Sequence, residues 1–181
     1  MGAPSYPAPV IVVVAIISRY DDAIAWAIER LQAHFGPIAL RSDLFGFRET
    51  HYYDQEMGPE LNKQFVAFER PAQAEELASH KLLTNAWEQD YATLASHTEP
   101  RPLNLDPGYV TPAKLVLAST KDYAHRIYLR DGIYAEITLL FRGGRWTGHD
   151  FTFPDYRRDD YQAYFSRVRE LAKRLSKPGL C

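Results

Sequence analysis

Val10 to Ile17, V-I-V-V-V-A-I-I, is an unbroken apolar run rich in β-branched residues, which predicts a central strand buried on both faces. Ile24, Ala27, Ile28, Leu31 and Phe35 then recur at helical spacing, with Ser18, Asp21 and Asp22 as N-cap candidates and Gly36-Pro37 as the stop. Ile38 to Phe47 predicts a second strand and Gln64 to Glu69 a third. Between them, Arg48 to Gly58 is polar and aromatic without a period. Pro71 opens a second long helix running to about Tyr91. Its Lys81, Thr84, Asn85 and Glu88 share a face, which is either a solvated stripe or the border of a site.

Asp106-Pro107-Gly108-Tyr109 has the residues of a type II turn and predicts a tight turn leading into a strand, Lys114 to Ser119. Asp131-Gly132 and Gly143-Gly144 are two-residue hairpin signals. They predict antiparallel strands over about His125–Arg130, Ile133–Arg142 and Arg145–Phe153. Tyr161, Tyr164, Phe165, Val168, Leu171, Ala172 and Leu175 keep a helical period, closed by Pro178-Gly179. The expected fold class is α+β: a ferredoxin-like βαββαβ unit extended by an antiparallel three-stranded meander and a C-terminal helix. Residues 1–9, with three prolines, form an extended lead-in; 10–176 form one domain and 177–181 a tail.

Composition narrows the function more than the fold. At 181 residues the chain suits one domain, and a net charge of −2 disfavours a general polyanion binder. Its single cysteine, Cys181, gives no disulfide framework, so a reducing, cytoplasmic setting is expected. The apolar run is too short to span a bilayer, and no membrane association is expected. A P-loop, a dinucleotide-binding glycine pattern and a serine elbow are all absent from the sequence. His125 and His149 are poorly spaced as metal ligands, so no protein metal site is expected. Nothing points to zinc, haem, flavin or NAD. Magnesium held by carboxylates and a phosphate remains allowed.

Candidate chemistry concentrates in Asn104 to Arg126 and the hairpins that follow. Counting outward from two-residue turns places Ile127 opposite Glu136, Arg126 opposite Ile137 and His125 opposite Thr138. It also places Phe141 opposite Trp146, Thr138 opposite His149 and Ile137 opposite Asp150. Glu136 sits among apolar neighbours and so requires a cation, a proton or a ligand, with His125 as the nearest partner. Arg126 falls on the opposite face. His125, Glu136 and Asp106 are the candidate catalytic residues. Lys121, Arg126, Ser119, Thr120 and Asn104 are candidate anion-binding residues, and Tyr52, Tyr53 and Tyr109 could stack on a ring. The expected function is an enzyme or binding protein for a small anionic, phosphorylated or nucleotide-like ligand. The alternatives are an RNA-associated module, using Arg167, Arg169, Lys173 and Arg174 of the last helix, and a ligand-free regulatory or scaffold domain.

H-Y-Y-D-Q-E-M-G (51–58), Lys81 to Asn85, N-L-D-P-G-Y (104–109), K-L-V-L-A-S-T-K-D (114–122), H-R-I-Y-L (125–129), G-I-Y-A-E-I-T-L (132–139) and T-F-P-D-Y (152–156) together resemble the bacterial family called domain of unknown function 4416. The resemblance covers about residues 10 to 172. It implies a small single-domain bacterial protein and assigns neither an activity nor catalytic residues. His51 departs from the acidic residue associated with that position.

Overall fold

The computed structural model describes residues 2–49 and 54–175. In chain order the elements are β1 (Ile11–Ser18), α1 (Asp21–Phe35), β2 (Ile38–Arg41), β3 (Phe45–Gly46), α2 (Asp54–Met57), β4 (Asn62–Phe68) and α3 (Leu77–Leu94). There follow β5 (Asn104–Val110), β6 (Lys114–Ser119), β7 (Ile127–Arg130), β8 (Ile133–Arg142), β9 (Arg145–Thr147) and α4 (Asp159–Leu175). The strands form one antiparallel sheet in the order β2-β4-β1-β5-β6-β8-β7, with β3 beside β4 and β9 beside β8. The fold class is therefore α+β. Among the described residues no helix is long and apolar enough to cross a membrane.

All eight residues of β1 are buried because both faces of the sheet are covered. Val12, Val14 and Ile16 pack against Ile24, Ile28 and Leu31 of α1 and Trp87 and Tyr91 of α3. Ile11, Val13 and Ala15 look the other way, towards Tyr161, Tyr164, Phe165 and Val168 of α4. The period-2 alternation of the strand thus divides one apolar run between two cores.

Several elements depart from the expected boundaries, each for a local reason. The strand over 38–47 is split because Ser42 takes over the edge of β4. Its amide donates to Phe65 O at 2.9 Å, its hydroxyl accepts from Phe65 N and its carbonyl accepts from Gln64 Nε2. The long helix does not start at Pro71, since Ala72 exchanges two backbone hydrogen bonds with Val10. A 3₁₀ turn, Ala74–Glu76, capped by Gln73, precedes α3 instead. β9 ends at Thr147, because the Thr152 hydroxyl accepts from His149 N and donates to Thr138 O, folding the chain back. Asp131, Gly132, Gly143 and Gly144 all take positive φ, as two-residue hairpin loops require.

The largest correction concerns Asp106-Pro107-Gly108-Tyr109. It is not a turn: β5 runs through it, pairing Ala15 with Asp106, Val14 with Pro107 and Val13 with Gly108. Gly108 is required by close approach rather than by a left-handed φ. A Cβ placed there collides with the Val116 carbonyl oxygen and lies 2.6 Å from Leu117 Cδ2. Both contacts belong to β6, the next strand of the sheet. Gly108→Ala is expected to cost about 2 kcal/mol or more through overpacking, read as a lower urea midpoint at unchanged slope.

Candidate functional site

The site begins where two strands part. β5 and β6 pair only through Gly108↔Leu117, Tyr109↔Val116 and Val110↔Leu115. Beyond that point Asn104 to Pro107 remain bound to β1, and Ala118 and Ser119 remain bound to β8. Pro107, with no amide hydrogen, stands at the fork. A cleft of about 390 Å³ opens there.

Backbone groups that lose a ladder partner must find another. Leu105 finds two on α3: its N–H donates to Glu88 Oε1 at 2.8 Å, and its carbonyl accepts from Lys81 Nζ at 2.8 Å. The Lys81–Thr84–Glu88 face is accordingly buried rather than solvated. Lys81 also reaches Asp106 Oδ1 at 3.0 Å. Arg101 donates to Glu88 Oε2 at 3.0 Å and to Asn104 Oδ1, and Asn104 Nδ2 donates to Asp106 Oδ2 at 2.8 Å.

Registers define the floor of the cleft. Lys63 pairs with Ile17 and Ile17 with Asn104; Ala15 pairs with Asp106, and Leu117 with Glu136. Directly paired residues share a face, so Lys63, Asn104, Asp106 and Glu136 all project on the α4 side. There Lys63 donates to Asp155 Oδ2 at 2.6 Å, with both side chains only 4% exposed. Asp155 and Tyr156 are delivered by a 3₁₀ turn, Pro154–Arg157, between β9 and α4.

The two coupled carboxylates are driven in opposite directions. Burial works against the charged form of Asp106, whose side chain is 26% exposed. The ammonium groups of Lys81 and Lys63 and the hydrogen bonds from Lys81 and Asn104 outweigh that cost, leaving its pKa below the ordinary aspartate value. Burial dominates at Glu88 and raises its pKa, although Lys81 and Arg101 oppose it. Burial, reinforced by Asp155 and Asp106, keeps the Tyr156 phenol protonated far above its usual range.

The cleft gathers most of the candidate residues. Asn104, Asp106, Ser119, Thr120, Lys121, Arg126 and Glu136 all line it. Tyr109 does not: it packs on the opposite face with Leu77, Ala78 and Val116. Tyr52 and Tyr53, like His51 and Cys181, lie outside the described residues. Arg126 is not on the far face from Glu136. A bulge between Tyr128 and Arg130 moves the register by one, pairing Ile127 with Ala135, and β7 begins only at Ile127. His125 and Arg126 therefore sit in the preceding loop, free of strand alternation. Both turn onto Glu136 Oε2, from His125 Nε2 at 3.2 Å and Arg126 Nε at 2.7 Å, and Thr138 Oγ1 reaches Oε1 at 3.3 Å. The His125 ring also stacks on Phe151, with centroids 4.5 Å apart.

Lys63, Asp155, Tyr156 and Arg101 were not among the sequence candidates. Lys63 falls in the polar start of β4, Asn62-Lys63-Gln64, which carries no mark of burial; Asp155 and Tyr156 lie in T-F-P-D-Y, the available signal. Among the described residues no three histidines, cysteines or acids are grouped to hold a metal. Asp106, Asp155 and Glu136 each face a cation of the protein itself.

Glu136 and Arg126 are both 4% exposed at the side chain, so removing the charge of one strands the other. Glu136→Gln is expected to lose about 3 kcal/mol in urea titrations, because a buried guanidinium is left without its carboxylate. The shifted carboxylates add a pH signature. Asp106, depressed when folded, stabilises the protein near neutrality, and that contribution disappears as pH falls through its lowered value. Glu88, raised when folded, takes up a proton in favour of the folded state, so its contribution grows as pH falls towards the ordinary carboxylate range. Urea midpoints measured from about pH 7 to about pH 3 should show Asp106→Asn removing part of the acid-side loss and Glu88→Gln removing the opposing gain.

No curated protein matches the chain. The family model described as Domain of unknown function (DUF4416) matches residues 8–171, nearly the whole of it. The chain, with its forked sheet and charged cleft, belongs to that family.

Proposed function

We propose that the cleft binds a small anionic ligand, phosphorylated or nucleotide-like, as an enzyme or binding protein for that ligand. The observation that carries this reading is the convergence of Lys63, Lys81, Arg101, Lys121 and Arg126, from four separate segments, on one cavity of about 390 Å³. That volume falls within the roughly 300–1,000 Å³ of small-molecule sites. Arg126 supports the reading further: Nε and Nη1 are used by Glu136 and the Lys121 carbonyl, whereas Nη2 has no partner among the described residues. A guanidinium edge left over in a cleft is suited to an anionic oxygen. At the strand end the Ser119 hydroxyl accepts the Lys121 amide at 3.1 Å, holding the Ser119–Lys121 bend against the cavity.

The fold reading goes with the site. The order β2-β4-β1-β5, with α1 and α3 packed on one face, supports a ferredoxin-like βαββαβ unit to which β6 to β9 and α4 are added. RNA modules of that type use the open sheet face, and here α4 occupies it, which favours the small-molecule alternative. Cytoplasmic residence in a bacterium completes the proposal and rests on the lone cysteine and the family.

Thermal unfolding tests it. Inorganic pyrophosphate or AMP at about one hundred times its dissociation constant should add about 2.7 kcal/mol, a rise in Tm of about 5–10 °C over sodium chloride of equal ionic strength. Lys121→Ala should reduce the rise. No response to either compound beyond the salt control rejects the reading, and a shift with single-stranded RNA alone favours the nucleic-acid alternative.

A further inference from the structure

Lys63 is the least expected group in the molecule. It stands on β4, one of the two strands flanking β1, and is 3% exposed. Its Nζ lies 4.5 Å from the ring centroid of Tyr156, 4.8 Å from Phe47, 5.6 Å from Phe65 and 5.8 Å from Tyr161. Its one hydrogen-bond partner among the described residues is Asp155. A bound anion needs positive charge, and Lys121 and Arg126 already supply that from the more open wall of the cleft. A lysine walled by aromatic rings offers something else. A lysine held among aromatic rings in a cleft is a setting for an amine nucleophile, and a carboxylate at 2.6 Å is placed to take its proton. A second observation is independent of the first. Tyr156, whose ring lies beside Lys63, lines the same cleft, and its hydroxyl makes no hydrogen bond among the described residues. A phenol hydroxyl on the cleft wall with no protein partner is available to a ligand oxygen.

We propose that Lys63 forms a covalent iminium with the ligand of this cleft, and that this ligand is therefore an anionic carbonyl compound: a phosphorylated aldehyde or ketone, or a 2-oxo acid. The proposal rests on the anion-binding reading above and narrows its substrate class. Lys63 is the nucleophile, Asp155 moves the proton, and Tyr156 holds the carbonyl oxygen. The lysine ammonium first gives a proton to Asp155. Its freed lone pair then attacks the carbonyl carbon; the C–N bond forms while the C=O π pair moves to oxygen, which takes the Tyr156 proton. The nitrogen, now carrying two protons and a positive charge, returns one to the Tyr156 phenolate, leaving a neutral carbinolamine. Asp155 next delivers its proton to the carbinolamine hydroxyl. Water departs, the nitrogen lone pair forms C=N, and Asp155 is again a carboxylate. One ammonium and one carbonyl have become one iminium and one water, with no oxidant or reductant consumed.

Reductive trapping tests this on the full-length chain. The protein is incubated with glyceraldehyde 3-phosphate and cyanoborohydride near neutral pH, then digested and mapped by mass spectrometry. The expected result is one label per chain, at Lys63, formed about tenfold or more faster than at Lys173, whose side chain is 43% exposed. Inorganic pyrophosphate should protect Lys63, and unphosphorylated glyceraldehyde should label it more slowly. Tyr156→Phe should slow trapping about tenfold or more at unchanged Tm, since the hydroxyl it removes has no protein partner. A purely structural lysine gives the reverse pattern: surface lysines labelled and Lys63 untouched, which overturns the proposal. If Lys63 stays unlabelled while pyrophosphate still raises Tm, the carbonyl chemistry fails and the anion site stands. If neither response occurs, both readings fall.

Discussion

A sheet that forks leaves backbone groups facing nothing, and the chemistry of this protein grows from how those groups are satisfied. At Gly108 the absence of a side chain lets β5 and β6 meet; past Pro107 they separate. On β5, the amide and carbonyl of Leu105 then look into the gap, where an unpaired polar group is costly. Glu88 and Lys81 answer them from α3, one as acceptor and one as donor. Two charged side chains thus occupy the place of a strand. Once they are there they need charges of their own, which brings Arg101 and Asp106 into the same network.

That succession explains why a chain of near-neutral net charge carries so many charges on one cavity. Each acid holds a basic partner, but the partners are shared unevenly. Lys81 serves a carbonyl and two carboxylates, whereas Lys63 serves a single aspartate inside a ring of aromatics. Unequal surroundings push Asp106 down and Glu88 up. Two acids that share Lys81 thus differ in how firmly each holds its proton.

Where the sequence was readable, the signal was local. The apolar run of β1, the helical spacing in α1 and α4 and the two glycine turns of the hairpins each depend on neighbours within one turn or one pleat. Asp106-Pro107-Gly108-Tyr109 failed because its residues satisfy a local rule for turns, while the strand contact that requires Gly108 comes from Val116 and Leu117. The bulge at Leu129 carries no sequence mark, and missing it put Arg126 on the wrong face of Glu136. The buried role of Lys81 and Glu88 was visible as a shared helical face, but their backbone partner lies on a different element. Lys63 and Asp155 are a similar case, joined across much of the chain by the arrival of the last turn before α4.

The strand order also bears on how such a chain is made. Both neighbours of β1 are synthesised after it, and β5 only after α3 has been completed. Until Asn104–Val110 leaves the ribosome, V-I-V-V-V-A-I-I has at least one open edge, in a segment with the composition of an aggregation-prone strand. Pairings so distant in sequence close slowly. Nascent β1 thus stays sticky until β5 has been made, the interval in which a holdase would matter most. The polar residues that later line the cleft on β5 are part of the same segment whose arrival ends that exposure.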